Sequence, residues 1–185
     1  MRSIAATTRP ARQSKDGDQQ MGVTIRGARS GDGAGISSAW QSAAAYYANL
    51  DDEHFQIPSA EGLADIWDDQ AGRGSSDSLQ LVAELDGQVV GWLAARIEHP
   101  APDAAMQLVR EHGWTRLVVD ALIVHQSQWR QGIGTALLKA AEDWGRARGA
   151  QVARLDTYAH SPVSVPFYED RMGYQRRSIV FQKRL

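Results

Sequence analysis

The sequence predicts one α/β domain: a mixed central β-sheet flanked by helices on both faces. Three observations carry that reading. Two period-two apolar runs, 79–85 and 88–97, flank Asp86-Gly87, a dipeptide that favours a tight type I′ hairpin. A near-continuous apolar run, 116–125, precedes a glycine-containing loop, an amphipathic helix and another strand, which is the order of a parallel βαβ unit. A chain of 185 residues, 43% of them hydrophobic, suits one full core.

The elements follow in order. Residues 1–21 show no periodicity and few large apolar groups, so they read as a disordered tail before a domain spanning 22–185. In "VTIRGA", Val23 and Ile25 alternate with Thr24 and Arg26, a strand pattern. Asp32 stands where it would cap a helix carrying Ile36, Trp40, Ala43 (or Ala44) and Tyr47 on one face. Pro58 and Ser59 introduce a second short helix, with Leu63, Ile66 and Trp67 sharing a face. The hairpin comes next. A connector over 101–115 leads to the 116–125 run, which reads as a strand buried on both faces.

"SQWRQGIGTALLKAAEDWG" then passes from a polar loop into a helix. Ile133, Leu137, Ala140 (or Ala141) and Trp144 share its apolar face, and Gly149 marks its end. A strand over 151–158, a short helix from Ser161-Pro162 to about Arg171, and a final strand from Tyr174 to the end complete the chain.

Composition narrows the chemistry. A net charge of −2 gives no general case for nucleic acid or membrane binding. The absence of cysteine excludes disulfides, thiolate metal sites and a cysteine nucleophile. No apolar run reaches the roughly 20 residues of a membrane span, and the N-terminus lacks the apolar core of a secretory signal. The expected location is the cytoplasm. The five histidines show no metal-ligand spacing. A homodimer is left open.

Gly132 and Gly134 are placed just where a helix begins. A helix N-terminus leaves backbone N–H groups unpaired and carries partial positive charge, so it receives a phosphate readily. "WRQGIGT" has the chemistry of a pyrophosphate cradle, with Arg130 and Lys139 near enough in sequence to add charge. A P-loop requires a lysine after the last glycine, where Thr135 and Ala136 stand. A dinucleotide fingerprint requires a third glycine, where Leu137 stands. A turn without a ligand is the remaining alternative.

The stretch Val124–Leu138 resembles the acetyl-CoA signature of the GCN5-related N-acetyltransferases (GNAT), Gln/Arg-x-x-Gly-x-Gly/Ala entering a helix. "VPFYEDRMGYQ" is similar to that family's second signature, Phe-Tyr-Glu-x-x-Gly-Phe, with one extra residue before Gly173 and Tyr174 in place of Phe. Two departures stand out. Trp129 occupies the Gln/Arg position, with Arg130 one step later, and Ser161 stands where an Asn is common.

The resemblance covers roughly 22–185 and implies a single-domain GNAT fold with acetyl-CoA as acyl donor. It implies that Leu122, Ile123 and Val124 offer backbone groups to the pantetheine arm at a strand that splays from its neighbour. Trp129, Arg130, Gln131, Gly132, Ile133, Gly134 and Thr135 would hold the pyrophosphate. Tyr168 takes the position of the general acid. The reaction implied is acetyl transfer to a primary amine of a small molecule, an amine antibiotic or a peptide, by direct attack in a ternary complex. Such a transfer needs the amine deprotonated, the oxyanion stabilised and the leaving thiolate protonated.

Asp120, a carboxylate inside an apolar strand, reads either as the base or as a structural hydrogen-bond acceptor. Glu84 is a second candidate for the base. Asp51, Asp52, Glu53 and His160 are expected on the acceptor side, where acidic groups favour a cationic amine. A non-catalytic acyl-CoA-binding or sensing module is the alternative function.

Overall fold

Five strands form one sheet in the order β1-β2-β3-β4-β5: Val23–Gly27, Ser78–Leu85, Gln88–Glu98, Arg116–Val124 and Val152–Arg154. The computed structural model describes residues 22–71 and 74–183, so the expected tail lies outside the described residues. The first four strands are antiparallel, while β4 and β5 are parallel. The sheet is therefore mixed, as the patterning predicts. At the hairpin Leu85 pairs with Gln88, and Asp86 and Gly87 have φ of 50° and 79°. Both central residues take the positive φ that a type I′ turn requires.

The pleat sorts the strand residues onto two cores. Leu81, Ala83, Leu93, Ala95, Leu117 and Val119 face helix α3 (Ile133–Ala147), where Ile133, Leu137, Leu138 and Ala141 are buried. Val82 and Trp92 face α1 (Gly33–Leu50) and α2 (Leu63–Ala71), meeting Ile36, Trp40 and Trp67. Trp40, Trp67 and Trp92 pack together with ring centroids 4.8–5.9 Å apart. Helix α3 ends at Gly149, whose φ is 78°, with Ala150 N–H donating back to Gly145 O.

The start of α1 is built differently from the sequence expectation. Asp32 is at the N-cap, but its side chain caps nothing in the helix. Its carboxylate accepts two bonds from Arg26, at 2.7 and 2.8 Å, and one from Arg29 N–H. Burial raises the Asp32 pKa, and these donors together outweigh it, holding the group below its ordinary value. Arg26 also binds Glu84, which removes that carboxylate from the list of free bases. Asp68 of α2 instead accepts from Gly33 N–H, the first of the helix, at 2.6 Å, and from Gly31 N–H just before it at 2.9 Å. A Cβ at Gly33 would lie 2.1 Å from Ala64 O, so glycine permits this close crossing.

Three further expectations are corrected. Ile66 is half exposed, because nine residues of α2 turn only Leu63, Trp67 and Ala71 toward α1 and the sheet. Strand β5 is three residues long rather than eight, since only Val152–Arg154 find partners on β4. Residues 175–183 form no strand: Ile179, Val180 and Phe181 are exposed and pair with no ladder. An alternating pattern supplies β-propensity, but strands need cross-strand partners.

Candidate active site

The site begins with a break in β4. Its pairing with β5 covers only Arg116–Val118, so Val119–Val124 keep β3 on one side and an open edge on the other. His125 N–H donates to Val90 O at 2.8 Å. Strand alternation therefore aims the N–H and C=O of Leu122 and Val124 at the open edge and turns those of Ile123 toward β3. The Val124 carbonyl is already taken there by the indole N–H of Trp129, at 2.7 Å.

A bulge re-aims one acidic residue. Ala94 pairs with Ala121 and Ala95 with Val119, leaving Asp120 as the extra residue on β4. Its side chain is 43% exposed and ion-paired with Arg96. The sequence pattern predicts a buried carboxylate; the bulge instead turns it to the side of the sheet that carries Arg96, where an arginine holds it. The strand packs against both cores, through Leu117 and Val119 on one face and Ala121 on the other, but Asp120 leaves the second face partly open.

The glycine loop then opens α3. Gly132 is the N-cap at φ 82°, and Arg130 adopts φ 63°, which is unusual for a side-chain-bearing residue. The first helical bond runs from Ala136 N–H to Gly132 O. Among the described residues no side chain caps the helix, and no acidic residue occupies its first turn. The N–H groups of Ile133, Gly134 and Thr135 thus start the helix without intrahelical acceptors. A Cβ at Gly134 would sit 3.5 Å from the Phe167 ring, an ordinary contact, so the protein's own packing does not demand glycine there.

Across the open edge lies α4 (Ser164–Pro166), which continues as a π-turn over Phe167–Arg171. Met172 N–H donates to Phe167 O, five residues back. A π-turn holds one residue more than an α-turn, which explains the extra residue before Gly173 in the second signature. Tyr168 sits in this turn, largely enclosed. Burial pushes its phenol well above the ordinary value, and the neighbouring Tyr47 and Asp156 add to the shift. The hydroxyl stays protonated throughout the range in which amines titrate.

The end of α1 and its following loop close the site from another side. Tyr158 donates to Asp51 at 2.7 Å, and that bond is the largest influence holding the Asp51 carboxyl below its usual value. Phe55 packs between Tyr47 and Tyr158, and His160 meets Tyr158 edge-on. Asp52, Glu53 and His160 are exposed. Tyr47 and Ser164 share a hydrogen bond of 2.5 Å. Tyr46 packs edge-on against Trp129, its hydroxyl buried without a partner among the described residues. Asp51 and His160 are thus brought together through Tyr158, a residue that sequence reading left in a strand.

A protein-family model for the acetyltransferase (GNAT) family matches residues 43–174, more than half of the chain. The chain belongs to that family. A curated relative, the acetyl transferase GW6a of Oryza sativa subsp. japonica, is 43% identical over 53 residues, which is 29% of this chain and 13% of that protein. The chain therefore spans a small part of that relative's length. Among solved structures, a transcriptional regulator from Bacillus halodurans matches at TM-score 0.65 and 19% identity, covering 88% of this chain and 99% of that one. An aminoglycoside acetyltransferase from an uncultured soil metagenomic sample, in complex with sisomicin, matches at TM-score 0.54 and 18% identity, covering 88% and 96%. These neighbours share the fold.

GNAT enzymes generally use acetyl-CoA as donor. The residues present fit such a molecule at two places. The uncapped, acid-free N-terminus of α3 suits a pyrophosphate. The open edge of β4 offers the N–H and C=O of Leu122 and the N–H of Val124 to an amide-bearing arm. Among the described residues no group of His, Asp and Glu is placed to hold a metal ion, and no helix is long and apolar enough to cross a membrane.

Proposed function

We propose that this GNAT domain transfers the acetyl group of acetyl-CoA to a primary amine by direct attack within a ternary complex. One observation carries the reading. An open strand edge, an uncapped helix N-terminus and a partly buried tyrosine lie together around Val124, Gly134 and Phe167.

Bound acetyl-CoA supplies an activated thioester carbonyl and a thiolate leaving group. The chain's residues do the rest. Leu122 and Val124 bind the pantetheine arm as an added strand, while Ile123 supports them by pairing with Trp92 of β3. The N–H groups of Gln131–Thr135 hold the pyrophosphate, with Trp129 and Arg130 shaping the loop that presents them. Val124 N–H donates to the acetyl oxygen as negative charge develops there. Tyr168 gives its proton to the departing sulfur and regains one from solvent.

The attacking amine passes its proton to solvent, because Asp120, like Glu84, is ion-paired with an arginine. Asp51, Asp52, Glu53 and His160 form the acceptor side and favour a cationic amine. Small amines, aminoglycosides and peptide amines are all acceptors of the right chemistry.

Free-thiol release from acetyl-CoA, measured across a panel of such amines, tests the reading. Tyr168→Phe should lower kcat by about 100-fold or more while leaving donor affinity nearly unchanged. Equal turnover would remove Tyr168 from the acid role, and no thiol release with any amine would favour a module that senses acyl-CoA without turning it over.

A further inference from the structure

Five rings lie in one row on the acceptor side. Tyr47, near the end of α1, shares a hydrogen bond with Ser164 at the head of α4, which runs on into the π-turn of Tyr168. Phe55 comes next, with its ring centroid 5.0 Å from that of Tyr47 and 5.0 Å from that of Tyr158. His54 lies 4.6 Å from Phe55 and is nearly parallel to Tyr158, at 21°. His160 meets Tyr158 at 5.5 Å. Tyr47, Phe55 and Tyr158 are part-buried, whereas His54 and His160 are exposed, so the row runs from the tyrosine turn to the surface.

Asp51 fastens this row. One of its carboxylate oxygens accepts from the Tyr158 hydroxyl at 2.7 Å, and the other accepts from His54 N–H at 3.1 Å. The loop after α1 is thereby tied to the loop after β5, across 107 residues of sequence. Asp52 and Glu53 are exposed beside it and add negative potential at the rim. Rings bind an aromatic body through faces and edges, and their negative faces also attract a cation. A hydroxyl-rich sugar laid on the same rings would lose water without gaining hydrogen bonds from them.

Resting on the acetyl-transfer reading above, we infer that Phe55 and Tyr158 set acceptor specificity and select an amine carried on a flat aromatic body. The rings hold the body, Asp51 keeps Tyr158 and His54 in place, and the rim carboxylates draw the ammonium end. A short alkylamine has the reacting group without the body. An aminoglycoside has the charge but presents a polar, puckered surface to the rings.

The test offers 2-phenylethylamine, n-butylamine and sisomicin to the full chain, read by free-thiol release from acetyl-CoA and by calorimetric titration of each amine. The aromatic amine should exceed n-butylamine about five- to tenfold in kcat/KM, with the difference in KM, and should bind more tightly by a similar factor. Phe55→Leu, which keeps apolar bulk without a ring, should close most of that gap, and Phe55→Tyr, which restores a ring, should keep it. Equal handling of the two amines by the native protein, a higher kcat/KM for sisomicin, or a gap that survives Phe55→Leu would overturn the ring reading and leave acetyl transfer intact. Tighter binding of the aromatic amine with no thiol release would overturn transfer and support the ring site. Neither binding nor release with any of the three would overturn both.

Discussion

Helices α1 and α3 both begin beside the sheet, yet their N-termini are finished in opposite ways. At α1 a carboxylate from another helix, Asp68, reaches over to accept from Gly31 and Gly33. At α3 no side chain among the described residues caps the start, no acid sits in the first turn, and Gly132 takes a left-handed conformation. Both termini have the same unpaired N–H groups and the same positive end of a dipole. One is closed by the protein; the other is open among the described residues, as the proposed phosphate site requires. The contrast teaches that an uncapped helix gains meaning beside a capped one, because the fold shows it can cap where capping is all that is needed.

The comparison can be broken by moving a carboxylate. Gly134→Asp should weaken acetyl-CoA binding about tenfold or more, by placing negative charge in the cradle. The same change should raise stability by about 0.3–1 kcal/mol, because an acid near a helix N-terminus is favourable and a Cβ there makes only ordinary contact with Phe167. Calorimetry and thermal unfolding read the two effects separately. Unaltered affinity would place the phosphate site elsewhere.

The reverse change is Asp68→Ala at α1. It should cost about 1–2 kcal/mol in urea unfolding and leave donor affinity unchanged. A loss of donor affinity would show that the two termini are not independent.

Asp32→Asn is the smallest expected effect, about 0.5–1 kcal/mol at neutral pH, since an amide still accepts from Arg26. The Asp32 pKa is lowered by folding, so its contribution is present above about pH 4 and is lost as pH falls through the folded value. The stability gap between Asp32→Asn and the native protein should therefore close in acid.

Where short-range chemistry decides structure, the sequence was a good guide. The Asp86-Gly87 turn, the α3 face and the Gly149 stop all follow from local preferences, and the structure has them. The glycine loop was legible for the same reason. Long-range pairing was not. Nothing near Gly33 announces that Asp68 will cap it, and the acid that looks like the cap, Asp32, is claimed by Arg26.

The bulge at Asp120 left one trace, an acidic residue interrupting an apolar run, but that trace also fits a buried base. Tyr158 reads as strand by composition, yet β5 stops at Arg154 and frees Tyr158 to meet Asp51. The final apolar alternation, Ile179 to Phe181, has strand character without a strand to pair with.

The central claim is that the α3 N-terminus receives the pyrophosphate of CoA. Its most direct test is a thermal shift of the full chain with acetyl-CoA, CoA and NAD in parallel. A ligand bound only by the folded state adds about 2.7 kcal/mol at roughly 100 times its Kd. Both CoA species should raise Tm clearly, and NAD should not. No rise with either CoA species at millimolar concentration, or a rise with NAD alone, would contradict the account.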